Sequence, residues 1–209
     1  PIFRYDAFDC LTFVEEVYSI AASKDISEIP IYRKQLRYGN APVSFESRHH
    51  FMVAQWIPSV IEQGFFIDIT AEHGPTFQVV KDYDNVNWAQ WRKRSSFVDL
   101  PFYPTGKYHA QVLSIEGVIQ SIDSIPEGTL IVVVRQDKSH HPVLVTHLGF
   151  LVFKDEKPYI RHATKMGDKN VRDDHLPWYF THLRWFDNWP ILGVMLLEPS
   201  EALLYDMTV

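Results

Sequence analysis

Apolar residues recur at Cys10, Phe13, Val14, Val17, Ile20 and Ala21, the i, i+3, i+4, i+7 spacing of a helix with one buried face. Asp9 is suited to cap its N-terminus, or Asp6 if the helix starts earlier. Either start puts Cys10 in the first turn, on the inward stripe. Residues 26–43 are polar and rich in Tyr and Arg, with turn signals at Gly39-Asn40 and Ala41-Pro42. They read as a loop with room for a short helix. Pro58 cannot sit inside a regular helix, so residues 44–63 split, with a short helix running from Pro58 in its first turn to a stop at Gly64. Residues 65–70 (FFIDIT) read as a strand. Residues 81–108 are rich in Trp, Asp, Asn and Pro, and suggest a short helix among long surface loops.

The C-terminal half reads as strands. Residues 129–136 (TLIVVVRQ), 144–153 (LVTHLGFLVF), 159–164 and 191–197 (ILGVMLL) are short runs rich in β-branched and aliphatic residues. The few residues between neighbours favour antiparallel pairing. A helix first and a sheet later is the α+β pattern, and residues 1–209 read as one unit.

The second and third of these runs flank Lys154-Asp155-Glu156-Lys157. If Phe153 pairs with Pro158, Gly149 faces His162 and His147 faces Thr164. Paired residues share a face, which makes His147 and His162 diagonal neighbours roughly 7–8 Å apart. A one-residue slip would separate them to opposite faces. Gly149 lies on the same face, where a glycine within a bulky strand signals close approach of backbone or ligand.

Composition narrows the function classes. Of 209 residues, 46% are hydrophobic and 22% charged, which excludes a disordered chain. No run approaches the ~18 apolar residues of a membrane span. The formal charge is −6, and the only basic knot is Arg92-Lys93-Arg94, beside Trp88 and Trp91. Nucleic acid is therefore not an expected partner. The ten histidines outnumber that net charge, so their protonation would reverse the sign of the chain. Cys10 is the one cysteine, which excludes an intrachain disulfide, leaves the core to hold the fold and leaves the compartment open. Position 1 is Pro rather than Met, as expected of a processed or trimmed chain, so a signal peptide would not be visible.

A thiol attacks as its thiolate, which a helix N-terminus and a nearby imidazolium both favour. Cys10 has the first by its pattern, and His147 or His162 would supply the second. Asp9 works against it. The expectation is a thiolate–imidazolium pair at rest, with a third polar group orienting the base. A lone cysteine on an apolar helix face is more often core than catalyst.

Phe8-Asp9-Cys10-Leu11-Thr12-Phe13-Val14-Glu15 resembles the nucleophile motif of the bacterial family DUF1460. That family is described as N-acetylmuramoyl-L-alanine amidase-like, within the NlpC/P60 cysteine-peptidase superfamily. Ser47-Arg48-His49-His50-Phe51 through Trp56-Ile57, then Gly64 and Asp68-Ile69-Thr70, resembles its arginine–histidine–aromatic segment and following strand. Ile125-Pro126-Glu127-Gly128-Thr129, Thr146-His147-Leu148-Gly149-Phe150 and Arg161-His162-Ala163 resemble the sheet that carries the superfamily histidines. Many superfamily peptidases have Ser then Gly after the cysteine, whereas Leu11 and Thr12 lean towards the amidase branch.

The resemblance implies a papain-like α+β fold with a nucleophile helix packed on an antiparallel sheet. It implies Cys10 as nucleophile, His147 as general base and then acid, and His162 as its orienting residue, with an oxyanion held by backbone N–H groups near the helix start. Asp9, Arg48 and His50 are the expected substrate contacts, Arg48 through a muropeptide carboxylate. No metal or cofactor is implied. The implied partners are peptidoglycan fragments, and the implied location is the bacterial envelope or the exterior. Trp56, Trp88 and Trp91 are sugar-platform candidates, although core packing suits them better. His140-His141 would be a loop over the site or a solvated pair.

Three alternatives stay open. One is an endopeptidase cutting the γ-D-glutamyl bond to the diamino acid. Another is a catalytically inert peptidoglycan-binding domain. The third, a zinc amidase, is disfavoured because no His-Glu-x-x-His or similar ligand spacing occurs.

Overall fold

The computed structural model describes residues 7–94, 103–139, 141–165, 167, 169–184 and 188–200. Helix α1 (Cys10–Ala22) starts at the cysteine. Asp9 Oδ1 accepts from the Thr12 N–H at 2.7 Å, and Thr12 Oγ1 accepts from the Asp9 N–H at 2.9 Å. This reciprocal capping box fixes where the helix begins. Asp6, the other candidate cap, lies outside the described residues.

The buried stripe of α1 is rotated from the expected one. Phe13 and Val14 are buried, but Tyr18 and Ala22 continue the stripe, whereas Ile20 is 54% exposed. Charge pairing is the cause. Glu15 and Glu16 are buried against Arg37 and Arg33 of α2 (Ile29–Tyr38). The segment expected to be mostly loop is therefore a ten-residue helix. Its two inward arginines, four residues apart, lie on one face and match the paired glutamates.

A π-helical turn (Met52–Trp56) leads into α3 (Ile57–Glu62), with Pro58 in its first turn as expected. The strand expected over residues 65–70 is shorter: β1 (Phe66–Asp68) ends where Thr70–His73 turns into a 3₁₀ helix. β2 (Thr76–Tyr83) and β3 (Gly106–Leu113) pair across α4 (Asn85–Arg94), where the sequence suggested loops around a helix. The side chains of Arg92, Lys93 and Arg94 lie outside the described residues. Trp88 and Trp91 are buried with Phe51 and Tyr83 and donate to the carbonyls of Pro104 and Ser139. Trp56 is buried in the main core. All three tryptophans pack rather than form an exposed platform.

The remaining elements are α5 (Ile115–Ser121), β4 (Leu130–Arg135), β5 (Val145–Lys154), β6 (Lys157–Ala163), β7 (Val171–His175), α6 (Leu176–Arg184) and β8 (Ile191–Pro199). The sheet runs β2-β3-β8-β4-β5-β6-β7, every pair antiparallel, with β1 also on β8. Central β4 has cores on both faces, which explains its unbroken apolar run. Leu130, Val132 and Val134 pack with α1, α2 and α3, and Ile131 and Val133 pack with α5 and α6.

Two local features aim the site residues. The β5–β6 ladder pairs Phe153 with Pro158 and Phe150 with Arg161, the expected register. Its turn is tighter than expected. Lys154 pairs with Lys157, and Asp155 and Glu156 both have positive φ, as a two-residue hairpin turn requires. On the other side of β5, Val134 pairs with Val145 but Val133 with His147, so Thr146 is an extra residue in a bulge. Bulges re-aim side chains next to functional sites.

Gly149 is needed for close approach. A Cβ there would lie 2.7 Å from the Arg161 carbonyl oxygen and 2.8 Å from His162 Cβ. Gly149→Ala must therefore spread β5 from β6. The expected loss is about 1–3 kcal/mol of stability, the usual cost of overpacking. A urea midpoint equal to wild type would refute it.

Candidate active site

The N-terminus of α1, the end of β4, the start of β5, the end of β6 and α6 enclose a cavity of about 380 Å³. Cys10, His147, His162, Arg135, Thr146 and Tyr179 are among its walls. The structure thus brings together four of the expected site residues, Asp9, Cys10, His147 and His162, from sequence positions up to 153 apart.

The two imidazoles are joined directly, with His147 Nε2 2.6 Å from His162 Nδ1 and the rings almost perpendicular at 87°. His162 Nε2 lies 3.0 Å from Asp174 Oδ2 on β7, and Arg172 donates to the same oxygen from Nε at 3.0 Å and Nη2 at 2.8 Å. This chain of contacts assigns the protons. The carboxylate accepts, so His162 carries its proton on Nε2. Its Nδ1 then accepts from His147 Nε2–H, and His147 Nδ1 is left with a free lone pair. The tautomer of the outer histidine is set two residues away, by Asp174.

Both sides of the Cys–His pair are pushed towards their uncharged forms. Burial, helped by the Asp9 charge, raises the Cys10 pKa, against backbone N–H groups of Leu148, Leu11 and Cys10 itself. Burial, then the neighbouring His162 and Arg135, lowers His147 to about 3, with Asp174 opposing. Burial also lowers His162, although Asp174 pulls the other way. Both directions oppose the expected resting ion pair and favour the neutral thiol and the neutral imidazole. The sequence showed the helix terminus but not the depth at which the thiol sits. Alkylation of resting Cys10 by iodoacetamide should be slow at neutral pH and accelerate only on the alkaline side of an ordinary cysteine. Rapid labelling below neutrality, with thiolate absorbance in the ultraviolet, would restore the ion pair.

The expected substrate contacts are scattered. Asp9 lines the cavity, but its carboxylate accepts from the Thr12 N–H and hydroxyl. Arg48 is not among the cavity walls. It lies near Glu15, whose pKa it helps to lower against a larger burial effect. His50 is also outside; its Nε2 contacts the Phe45 carbonyl at 2.6 Å and its ring packs on Phe45. The His141 ring packs against that of Trp189 at 4.6 Å, tilted by 45°, and its carbonyl accepts from buried Lys81, which also binds Asp137 at 2.6 Å. His140 lies outside the described residues.

Sequence reading missed Asp174, Arg172, Arg135 and Tyr179. The ring of Tyr179 lies 5.3 Å from that of His162 and 6.1 Å from that of His147, closing the cavity from α6. Among the described residues no three His, Cys, Asp or Glu side chains are grouped as a metal ion would need, and no helix is long and apolar enough to cross a membrane.

The model of the AmiA-like family, N-acetylmuramoyl-L-alanine amidase-like, matches residues 1–184. The chain belongs to that family. This amidase-like protein is accordingly a hydrolase of the amidase/peptidase type. A search of curated proteins finds no match. Among solved structures, a Legionella pneumophila protein assigned to DUF1460 superimposes with a TM-score of 0.82 at 20% identity, covering 96% of this chain and 78% of that one. A Bacteroides fragilis protein described as a candidate xylanase gives 0.75 at 18%, covering 95% and 89%. An N-acetylmuramoyl-L-alanine amidase from Bacteroides uniformis gives 0.74 at 20%, covering 94% and 85%. At such identities these likenesses speak to fold alone, which is α+β.

Proposed function

We propose that this amidase-like protein is one catalytic unit of papain-like design. It hydrolyses an amide of bacterial cell-wall muropeptides through Cys10, His147 and His162, at the bond between N-acetylmuramic acid and L-Ala. The observation that carries this reading is the cavity in which the capped N-terminus of α1 meets the His147–His162–Asp174 relay.

Cys10 Sγ attacks the amide carbonyl while His147 Nδ1 takes the thiol proton. A C–S bond forms, and the carbonyl π pair moves onto oxygen. Backbone N–H groups of Leu148, Leu11 and Cys10 favour negative charge on the sulfur, and N–H groups at the start of α1 would hold the oxyanion. Collapse breaks the C–N bond, and His147 returns the proton to the leaving amine. Water, deprotonated by the same nitrogen, then cleaves the thioester and restores the thiol. His162 and Asp174 hold His147 in the base tautomer and stabilise its cationic form.

A glycosidase reading suits the cavity poorly. Glycoside hydrolysis normally needs two free carboxyl groups across the bond, whereas Asp9 is committed to the helix cap and Asp174 to His162 and Arg172. A cell-envelope or secreted location fits a muropeptide substrate. The test is mass spectrometry of purified disaccharide-peptides after digestion. Release of the whole peptide from the sugar supports the MurNAc–L-Ala bond. Release of only its distal part identifies γ-D-glutamyl cleavage. No product from wild-type protein would support an inert binding domain and end the proposal.

A further inference from the structure

The buried cations of this fold rest on carboxylates, Arg33 on Glu16, Arg37 on Glu15 and Lys81 on Asp137, and the part-exposed Arg172 rests on Asp174. Arg135 departs from that pattern. It ends β4 where the ladder with β5 is offset by the Thr146 bulge, and it lines the cavity with Cys10 and His147. Its Nε donates to Thr146 Oγ1 at 2.9 Å and its Nη1 to the Trp189 carbonyl. Its guanidinium carbon lies 5.7 Å from the centre of the Trp189 ring. All three partners are neutral. Among the described residues no carboxylate reaches ion-pair distance of Arg135, and Nη2 has no hydrogen-bond partner.

A half-buried cation held only by neutral groups keeps part of its desolvation cost uncompensated. Burial accordingly lowers its pKa. The bulge, the Thr146 hydroxyl and the Trp189 carbonyl hold the guanidinium plane ready beside the histidine base. A rigid guanidinium fork with unpaired N–H groups suits a carboxylate better than any other common anionic group on a peptide. Lys165 adds a second positive charge at the cavity wall. Asp9, the one carboxylate among the described residues that also lines the wall, is occupied by Thr12.

We propose that Arg135 is the carboxylate-recognition residue of this cavity, selecting amides that carry a free carboxylate within a few bonds of the scissile one. This rests on the amidase reading above and sharpens its substrate class. In a muropeptide stem cut at MurNAc–L-Ala, the nearest such group is the α-carboxylate of the following D-isoglutamate.

The test compares MurNAc-L-Ala-D-isoglutamate with MurNAc-L-Ala-D-isoglutamine, which differ by one carboxylate against a carboxamide. Wild-type protein should prefer the acid by about tenfold or more in kcat/KM, chiefly through KM, because a charge-assisted hydrogen bond is roughly twice as strong as a neutral one. Arg135→Gln should bring the ratio close to one, and Arg135→Lys should keep part of it. The ratio is internal to each variant, so a general loss of activity or a change in His147 basicity does not imitate it. Calorimetric binding of both compounds to Cys10→Ala protein, with and without Arg135→Gln, gives a second reading that needs no turnover. Failure of hydrolysis with the binding preference intact would overturn the amidase reading alone. Equal treatment of acid and amide by the wild-type cavity, in turnover and in binding, would overturn the role of Arg135, as would a preference that survives Arg135→Gln.

Discussion

Cys10→Ala and His147→Ala should each lower kcat/KM on disaccharide-peptides by about 10⁴-fold or more, and the double variant should be no worse than either alone. A nucleophile and its base act as one unit, so removing either removes the covalent route and their losses do not add. The raised pKa of Cys10 strengthens this expectation. A preformed thiolate would keep some reactivity without its base, but a half-buried thiol with a raised pKa depends on His147 Nδ1 for attack. His162→Ala should cost less, because His147 keeps its place on β5 and loses only the partner at Nε2. Steady-state kinetics on the three variants check the ranking. Substantial turnover by Cys10→Ala would end the cysteine mechanism, and a double variant much worse than both singles would mean that the two residues act in separate steps.

The parts of the fold that declare themselves in the sequence are those whose pattern is purely apolar. The run 130–134 is uninterrupted because both faces of β4 are covered, and the hairpin register holds although its turn is two residues rather than four, because tightening the turn by one residue on each strand leaves the pairing unchanged. Elements held by charge did not announce themselves. α2 is held to α1 by Arg33 and Arg37, which look like solvated residues until Glu15 and Glu16 are seen buried opposite them. β7 reads Val-Arg-Asp-Asp-His, a polar stretch with no apolar alternation. Its alternation is one of charge partners. Asp173 faces one side, where Arg161 grips it at 2.8 Å with both Nε and Nη2 and holds its pKa near 2 with help from Lys154. Asp174 faces the other side, towards His162 and Arg172. Edge strands often carry such charges to stay unpaired, and here one of them ends inside the site. That is why Cys10 and the two histidines could be named from the sequence while Asp174 could not.

Asp174→Asn is expected to be more damaging than its distance from the sulfur suggests, lowering kcat by about 10²-fold or more, within the range that general-base catalysis supplies. A carboxylate can only accept, so it forces the His162 proton onto Nε2 and the His147 proton onto its own Nε2, leaving Nδ1 free for the thiol. An asparagine keeps these tautomers, because the two Arg172 N–H groups that share Oδ2 with His162 hold its amide oxygen in that place. The substitution removes the negative charge that opposes the lowering of the His147 pKa, so the imidazolium formed during attack loses support. That effect acts on the transition state, so KM should change little. Asp174→Ala removes both the charge and the acceptor that fixes the tautomer, and should therefore retain less activity than the near-isosteric Asn. Proton-resolved NMR of the two imidazoles reads the tautomers independently of turnover, and should find His147 protonated on Nε2 in the Asn variant and on either nitrogen in the Ala variant. An Asn variant with kcat near wild type would remove the Asp174 charge from the relay.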